Sequence, residues 1–260
     1  MEEKIELENR VDAFVDKYWP ALPSRTEEAH EAYLRNKYGR QTMRKCDRLF
    51  MRHEEKNDSV FMNFLYKEGL TEDLIPYMAG RGRETLKALL QTLSTEEKPF
   101  TMVDLGSGDG RITVGLAGYL DNLKTIYAVE KSKEGIERMQ KHYALAPDAG
   151  KKIVPIIGDF FSPEVQKRVS EGKPTIALAA YTNINFHDIA ALASMYADRA
   201  ILSFMHGCED FQGDFEHHLK EHEADFNYAG AEHGWQFKIT KDFELRPGLY
   251  AYLVSGAKRE

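Results

Sequence analysis

The run Val103-Asp104-Leu105-Gly106-Ser107-Gly108-Asp109-Gly110 has the residue types and spacing best suited to hold a small ligand. Gly106 and Gly108 allow a tight turn and a close approach to a ligand, where a Cβ would collide. A helix starting just after them would turn its free amides towards that ligand. The third glycine falls one residue early for the dinucleotide fingerprint G-x-G-x-x-G, and the loop lacks the Lys-Ser/Thr ending of a phosphate-binding P-loop. Asp104, directly before the loop, is poorly placed for a pyrophosphate and well placed for a cationic group. Glu130 follows about twenty residues later, where a carboxylate can accept both hydrogen bonds of a ribose diol. Asp159-Phe160 sets a third carboxylate beside an aromatic face. Each acid also has a purely structural reading. Glu130 can cap a helix beginning near Ser132, and Asp159 can start the helix after Pro163.

These residues need a frame, and the surrounding pattern predicts one. Short apolar runs at 99–105, 125–129, 153–157, 175–180 and 200–205 alternate with helical stretches at 111–120, 132–145, 163–170 and 189–196. Such alternation predicts parallel strands joined by right-handed crossovers. It places Asp104, Glu130 and Asp159 at the C-terminal ends of successive strands, where open α/β sheets bind ligands. Aromatic-rich runs at 235–240 and 249–254 flank Arg246-Pro247-Gly248 and predict a closing hairpin. Before position 95 the spacing is helical, notably at 7–18, 26–37 and 84–93. The predicted fold is therefore α/β: a Rossmann-like, mostly parallel sheet with an antiparallel C-terminal strand. A helical region (1–95) precedes a ligand-binding domain (96–260).

From about Phe100 to Met205 the chain resembles the class I S-adenosylmethionine-dependent methyltransferases. The resemblance implies S-adenosylmethionine as cofactor and methyl transfer as the reaction. Gly106, Ser107 and Gly108 would then pass under the methionine and ribose portions, with Asp104 near the methionine ammonium. Glu130 would hold the ribose hydroxyls, Asp159 would accept from the adenine amino group, and Phe160 would pack on the ring.

A narrower resemblance, from about Gly82 to Phe186, is to the Dot1-like histone lysine methyltransferases. It rests on Gly158-Asp159-Phe160-Phe161-Ser162, the helix 164–168, Val129-Glu130-Lys131 and Thr182-Asn183-Ile184-Asn185-Phe186. Gly82-Arg83-Glu84-Thr85 is similar to the family's Tyr-Gly-Glu-Thr loop, with an arginine inserted, and so implies Glu84 and Thr85 near the methionine end. The family's paired asparagines appear here as Thr182-Asn183. The resemblance implies a protein lysine acceptor, with Tyr181, Thr182 and Asn183 as catalytic wall and Asn185 and Phe186 as substrate contacts. A wall of aromatic and neutral polar groups favours the uncharged amine by desolvation. The Asn/Asp-Pro-Pro-Tyr/Phe motif of amino-methylating nucleic-acid enzymes is missing after the fourth strand. A small-molecule or RNA methyltransferase with a helical lid, and a non-catalytic adenosylmethionine-binding subunit, remain as alternatives.

The net charge of −7 argues against a surface wholly devoted to nucleic acid. Locally the sign reverses. Between Arg35 and Arg52 lie seven cations and a single acid, Asp47, and Arg40, Arg44, Arg48 and Arg52 recur every fourth residue. On a helix they form one stripe, with Arg44 and Arg48 central, facing a histone, a nucleosome or RNA, or else only solvent. No apolar run is long enough to span a membrane and no leader-like N-terminus is present, so a cytoplasmic or nuclear location is expected. Cys46 and Cys208 read as free thiols. His218 and His222 have the spacing of a metal pair but no evident third ligand, so no metal is expected.

Overall fold

The computed structural model describes residues 2–20, 27–56, 60–74, 81–180, 192, 195–207, 215–246 and 249–258. Seven strands form one sheet in the order β3-β2-β1-β4-β5-β7-β6. They are β1 (Phe100–Leu105), β2 (Leu123–Glu130), β3 (Ile153–Ile157), β4 (Ile176–Ala180), β5 (Arg199–Gly207), β6 (Trp235–Arg246) and β7 (Leu249–Lys258). The first five run parallel, and β7 and β6 close the edge as an antiparallel pair. The strand order reverses direction between β1 and β4. A crevice opens at such a switch point outside the carboxyl ends of the strands, because the crossovers leave to opposite faces.

Both faces are covered, which is why the parallel strands are nearly continuous apolar runs. On one face Met102, Ile126, Ala128, Ile176, Leu178 and Ile201 pack under α1 (Glu2–Tyr18), α5 (Arg81–Leu93), α6 (Arg111–Tyr119) and α7 (Lys133–His142). On the other, Val103, Leu105, Val129, Ile156, Ala177, Ala179 and Leu202 meet α8 (Pro163–Ser170) and α9 (Phe215–Ala231). The alternation puts Asp104, Glu130 and Ala180 on the first face with α1 and α5. Helix α1 is fastened there by Lys87 to Asp12 at 2.8 Å, by Arg83 to Asp16, and by Arg83 Nε donating to the Trp19 carbonyl at 3.1 Å.

Helices α2 (Glu27–Tyr38), α3 (Arg40–Lys56) and α4 (Val60–Glu68) hold a separate small core of Leu34, Met43, Cys46, Phe61, Phe64, Leu65 and Leu70. Asp73, just past the short 3-10 turn Leu70–Glu72, ties this layer together and is only 4% exposed. It accepts from Tyr33 Oη at 3.2 Å, from Lys37 Nζ at 2.5 Å and from Tyr38 Oη. Burial alone would raise its pKa, but these donors outweigh burial and hold the carboxyl below its usual range. Burial, followed by the hydrogen bond to Asp73, pushes Tyr38 up to about 12. Cys46 is a free thiol buried under α3 and pushed up to about 11 by that burial. Cys208 lies outside the described residues. No helix among the described residues is long and apolar enough to cross a membrane.

Candidate functional site

The glycine loop is shaped by backbone that other residues adopt only under strain. Gly106, Gly108 and Gly110 have φ of 76°, 60° and 70°, in the left-handed region. The loop is moored to the neighbouring strand: the amides of Gly106 and Ser107 donate to the Val129 carbonyl at 2.9 and 3.0 Å. Glu130 completes the mooring. One carboxylate oxygen accepts from the Gly108 amide at 2.8 Å and the other from the Ser132 amide at 2.8 Å. Ser132 in turn caps α7 by accepting from the Gly135 amide at 3.2 Å. Glu130 thus joins the loop to the start of α7. The Lys131 amide also reaches this carboxylate, whose roughly four acceptor sites still leave room for a further donor.

A cavity of about 150 Å³ lies over this loop, at the switch point between β1 and β4. Asp104, Gly106, Ser107, Gly108, Asp109 and Ala180 form its base, and Arg111 and Ile112 lead from it into α6. Its roof comes from the N-terminal helices, through Trp19, Met62, Tyr66, Thr71 and Gly82. Tyr66 comes closest: a Cβ on Gly108 would sit 3.0 Å from its hydroxyl. Gly82 is equally constrained, since a Cβ there would meet the Trp19 ring at 2.3 Å. The Trp19 ring also stacks on the Arg111 guanidinium, 4.9 Å from the ring centre, and Tyr18 Oη donates to the Arg111 carbonyl at 2.6 Å.

The site is polar and incompletely satisfied. Ser107 Oγ, Thr71 Oγ1 and Arg111 Nε are buried and have no hydrogen-bond partner among the described residues. All three residues line the cavity, and an unpaired buried polar group costs about 1–3 kcal/mol. A polar ligand that pairs with them removes that cost. Asp104 is only 3% exposed and accepts from Thr113 Oγ1. Burial pushes its carboxyl up to about 7, against the Thr113 hydrogen bond, and the Glu130 charge adds to the rise. Burial also raises Glu130, against the amides of Ser132 and Gly108. Burial drives the Tyr66 hydroxyl well above its usual value, helped by Glu130 and Asp109. Two carboxyls held reluctant to ionise create a demand for a cation.

The other residues singled out in the sequence are distributed around this centre. Asp159 is exposed beyond β3, 3.6 Å from Lys131, and accepts from the Phe161 amide at 2.9 Å, a local turn bond. Phe160 is half-buried against the core on the α8–α9 face of the sheet and meets Phe161 edge-on. Ile157 and Phe161, 54% and 46% exposed, flank Asp159 with apolar surface. Glu84 and Thr85 lie in the first turns of α5 rather than in a loop. Glu84 pairs with Arg83 at 2.6 Å, and Thr85 is fully buried. Arg44 and Arg48 are exposed on α3. Tyr181, Thr182, Asn183, Asn185 and Phe186 lie outside the described residues. So does His187, and no candidate metal cluster occurs among the described residues. Sequence reasoning passed over Trp19, Tyr66 and Thr71. Only a lone tryptophan beside Pro20 and an aromatic-rich α4 hinted at a packed role for them. Arg111, directly after the loop, could have been added by extending it one residue.

Solved structures share this fold. The fold is the Rossmann-like methyltransferase fold. The chain is similar to magnesium protoporphyrin IX methyltransferase from Synechocystis PCC 6803, solved with bound SAH. That match has a TM-score of 0.52 and 16% identity, over 72% of this chain and 88% of that one. It is similar also to M. jannaschii TYW2 in complex with AdoMet, with a TM-score of 0.51 and 17% identity, over 72% of this chain and 81% of that one. No protein-family model matches the sequence, and no curated protein matches it at a significant level.

Proposed function

We propose that this protein is an S-adenosylmethionine-dependent methyltransferase whose acceptor is a small molecule or RNA. The observation that carries the reading is the left-handed glycine loop between Asp104 and Glu130, under a cavity ringed by unsatisfied polar atoms at the sheet's switch point. A cofactor with a cationic amino-acid end, a diol and an aromatic base fits these residues. Asp104 faces the ammonium, Ser107 and Thr71 supply hydroxyls to the methionine end, and Glu130 accepts from the ribose hydroxyls. Asp159, with Phe160 and the exposed Ile157 and Phe161, holds the adenine. Glu84 and Thr85, at the start of α5 beside Gly82, support the methionine end from above. The two similar structures, solved with AdoMet or SAH, support the cofactor.

When bound, this cofactor supplies a methyl group on an already activated sulfonium. What remains for the protein is alignment and exclusion of water. Trp19, Met62 and Tyr66 close the cavity from above. Its volume suits an amino-acid-sized end alone, whereas drug-sized pockets run to about 300–1,000 Å³. The nucleoside end then extends from Glu130 towards the exposed Asp159. A protein lysine is the second reading. It rests on the Gly158–Ser162 and Thr182–Phe186 runs, with Tyr181, Thr182 and Asn183 as its catalytic wall and Asn185 and Phe186 as its substrate contacts.

The test is transfer of labelled methyl from S-adenosylmethionine to total RNA, a small-metabolite extract, free histones and nucleosomes. Label in RNA or metabolites is expected. Label on a histone lysine alone would replace the acceptor reading with the lysine one.

A further inference from the structure

Helix α3 carries a row of exposed arginines. Arg40, Arg44 and Arg48 are exposed and make no ion pair, hydrogen bond or ring contact among the described residues. Their neighbours are engaged: Arg35 pairs with Glu31, Lys37 with Asp73 at 2.5 Å, and Lys45 lies 5.0 Å from the centre of the Phe64 ring. Like charges four residues apart on a helix repel, so the row costs α3 stability rather than adding to it. It also opposes the molecule's sign, since the chain as a whole carries −7. Met43 and Cys46, buried on the other side of α3, fix the row outwards. The three guanidinium groups are spaced about 6 Å apart along the helix axis.

The row is connected to the cavity. Helix α3 packs directly on α4, and Met62 and Tyr66 of α4 form part of the cavity roof. A chain lying along α3 therefore runs over the layer that covers the glycine loop.

We propose that the Arg40–Arg44–Arg48 face binds the phosphate backbone of a single-stranded RNA segment. That this segment presents the methyl acceptor rests on the methyltransferase reading; the binding does not. Guanidinium forks match phosphate oxygens in pairs, which lysine does less well. A base reaches a methyl donor held in a recess only when it is unstacked, and a single strand offers that at little cost. Duplex DNA or a nucleosome would need broad positive contact, which an acidic surface around one short strip does not provide.

The experiment is fluorescence anisotropy of the full chain, without cofactor, against a labelled single-stranded oligo(U) RNA. Duplex DNA and an acidic phosphopeptide serve as rivals. Salt is varied from about 50 to about 200 mM. The RNA is expected to bind most tightly. Reversing the row in R40E/R44E/R48E should weaken RNA binding at least tenfold. Neutralising it in R40Q/R44Q/R48Q should lower the slope of log K against log salt by about two, for three released phosphate contacts on a single strand. Circular-dichroism melting confirms that each variant is folded. Unchanged RNA affinity in a folded triple variant overturns the proposal, as does tighter binding of the duplex or the phosphopeptide. Because the assay contains no cofactor, a protein that binds RNA but not S-adenosylmethionine would refute the methyltransferase reading alone.

Discussion

Asp104 shows how a single buried group sets the chemistry of the site. Its carboxyl is sealed between the sheet and α6, with Thr113 as its donor, and burial lifts it from 3.8 to about 7. In the folded protein it stays neutral over a range in which the unfolded chain has already ionised. It therefore favours the folded state fully below pH 4 or so, and that advantage is lost as pH rises towards 7. Ligand-free protein should melt at falling temperatures as the buffer is raised through this window, and Asp104→Asn should flatten the trend. A cationic ligand reverses the preference, so cofactor affinity should rise through the same window in the parent and not in the variant. A scan of melting temperature against pH, with and without cofactor, reads both effects. The acids themselves were legible in the sequence, because burying a carboxylate at the end of an apolar strand is costly unless something there pairs with it. Their division of labour was not. That Glu130 is already bonded to the Gly108 and Ser132 amides depends on the loop's three-dimensional closure, which spacing does not encode.

At the scale of elements, alternating apolar runs predicted the strands well. β3 and α8 have the expected bounds, and β6 and β7 run further than their aromatic stretches suggested. The extension has a physical cause: the two strands pair with each other along nearly their whole length, so polar residues such as Lys241 and Glu244 are carried into the ladder. Helical periodicity found α1, α2 and α5 too. It could not say what each buries against, because an amphipathic stripe specifies a buried face and not its partner. Helices α1 and α5 share the sheet's core, whereas α2 to α4 enclose their own. The second core depends on Asp73, whose three donors come from α2. Asp73→Ala removes the charged acceptor shared by Lys37, Tyr33 and Tyr38 and should cost about 1.5–3 kcal/mol, the range for hydrogen bonds to charged groups. Chemical denaturation of the full chain measures this loss. Since the Asp73 carboxyl is held below its usual range, its contribution is present at neutral pH and lost as pH falls through that depressed value. The deficit between variant and parent should shrink in acid.

Taken as a whole, the molecule is a seven-stranded sheet roofed by two helical layers of different character. One layer, α1 and α5, belongs to the sheet and brings Trp19 and Gly82 to the cavity. The other carries Tyr66 inward and the arginine row outward, so cofactor and acceptor would meet beneath one cover. Residues distant in sequence form that cover: Trp19 and Tyr66 lie far ahead of the loop they close, beyond the reach of any local motif. Calorimetric titration of the full chain with S-adenosylmethionine and S-adenosylhomocysteine tests whether the loop and Glu130 hold this cofactor. Both should bind with one-to-one stoichiometry, and Glu130→Ala should weaken each at least tenfold while the variant remains folded. An absence of binding by the parent, or an affinity untouched by Glu130→Ala, would contradict the account.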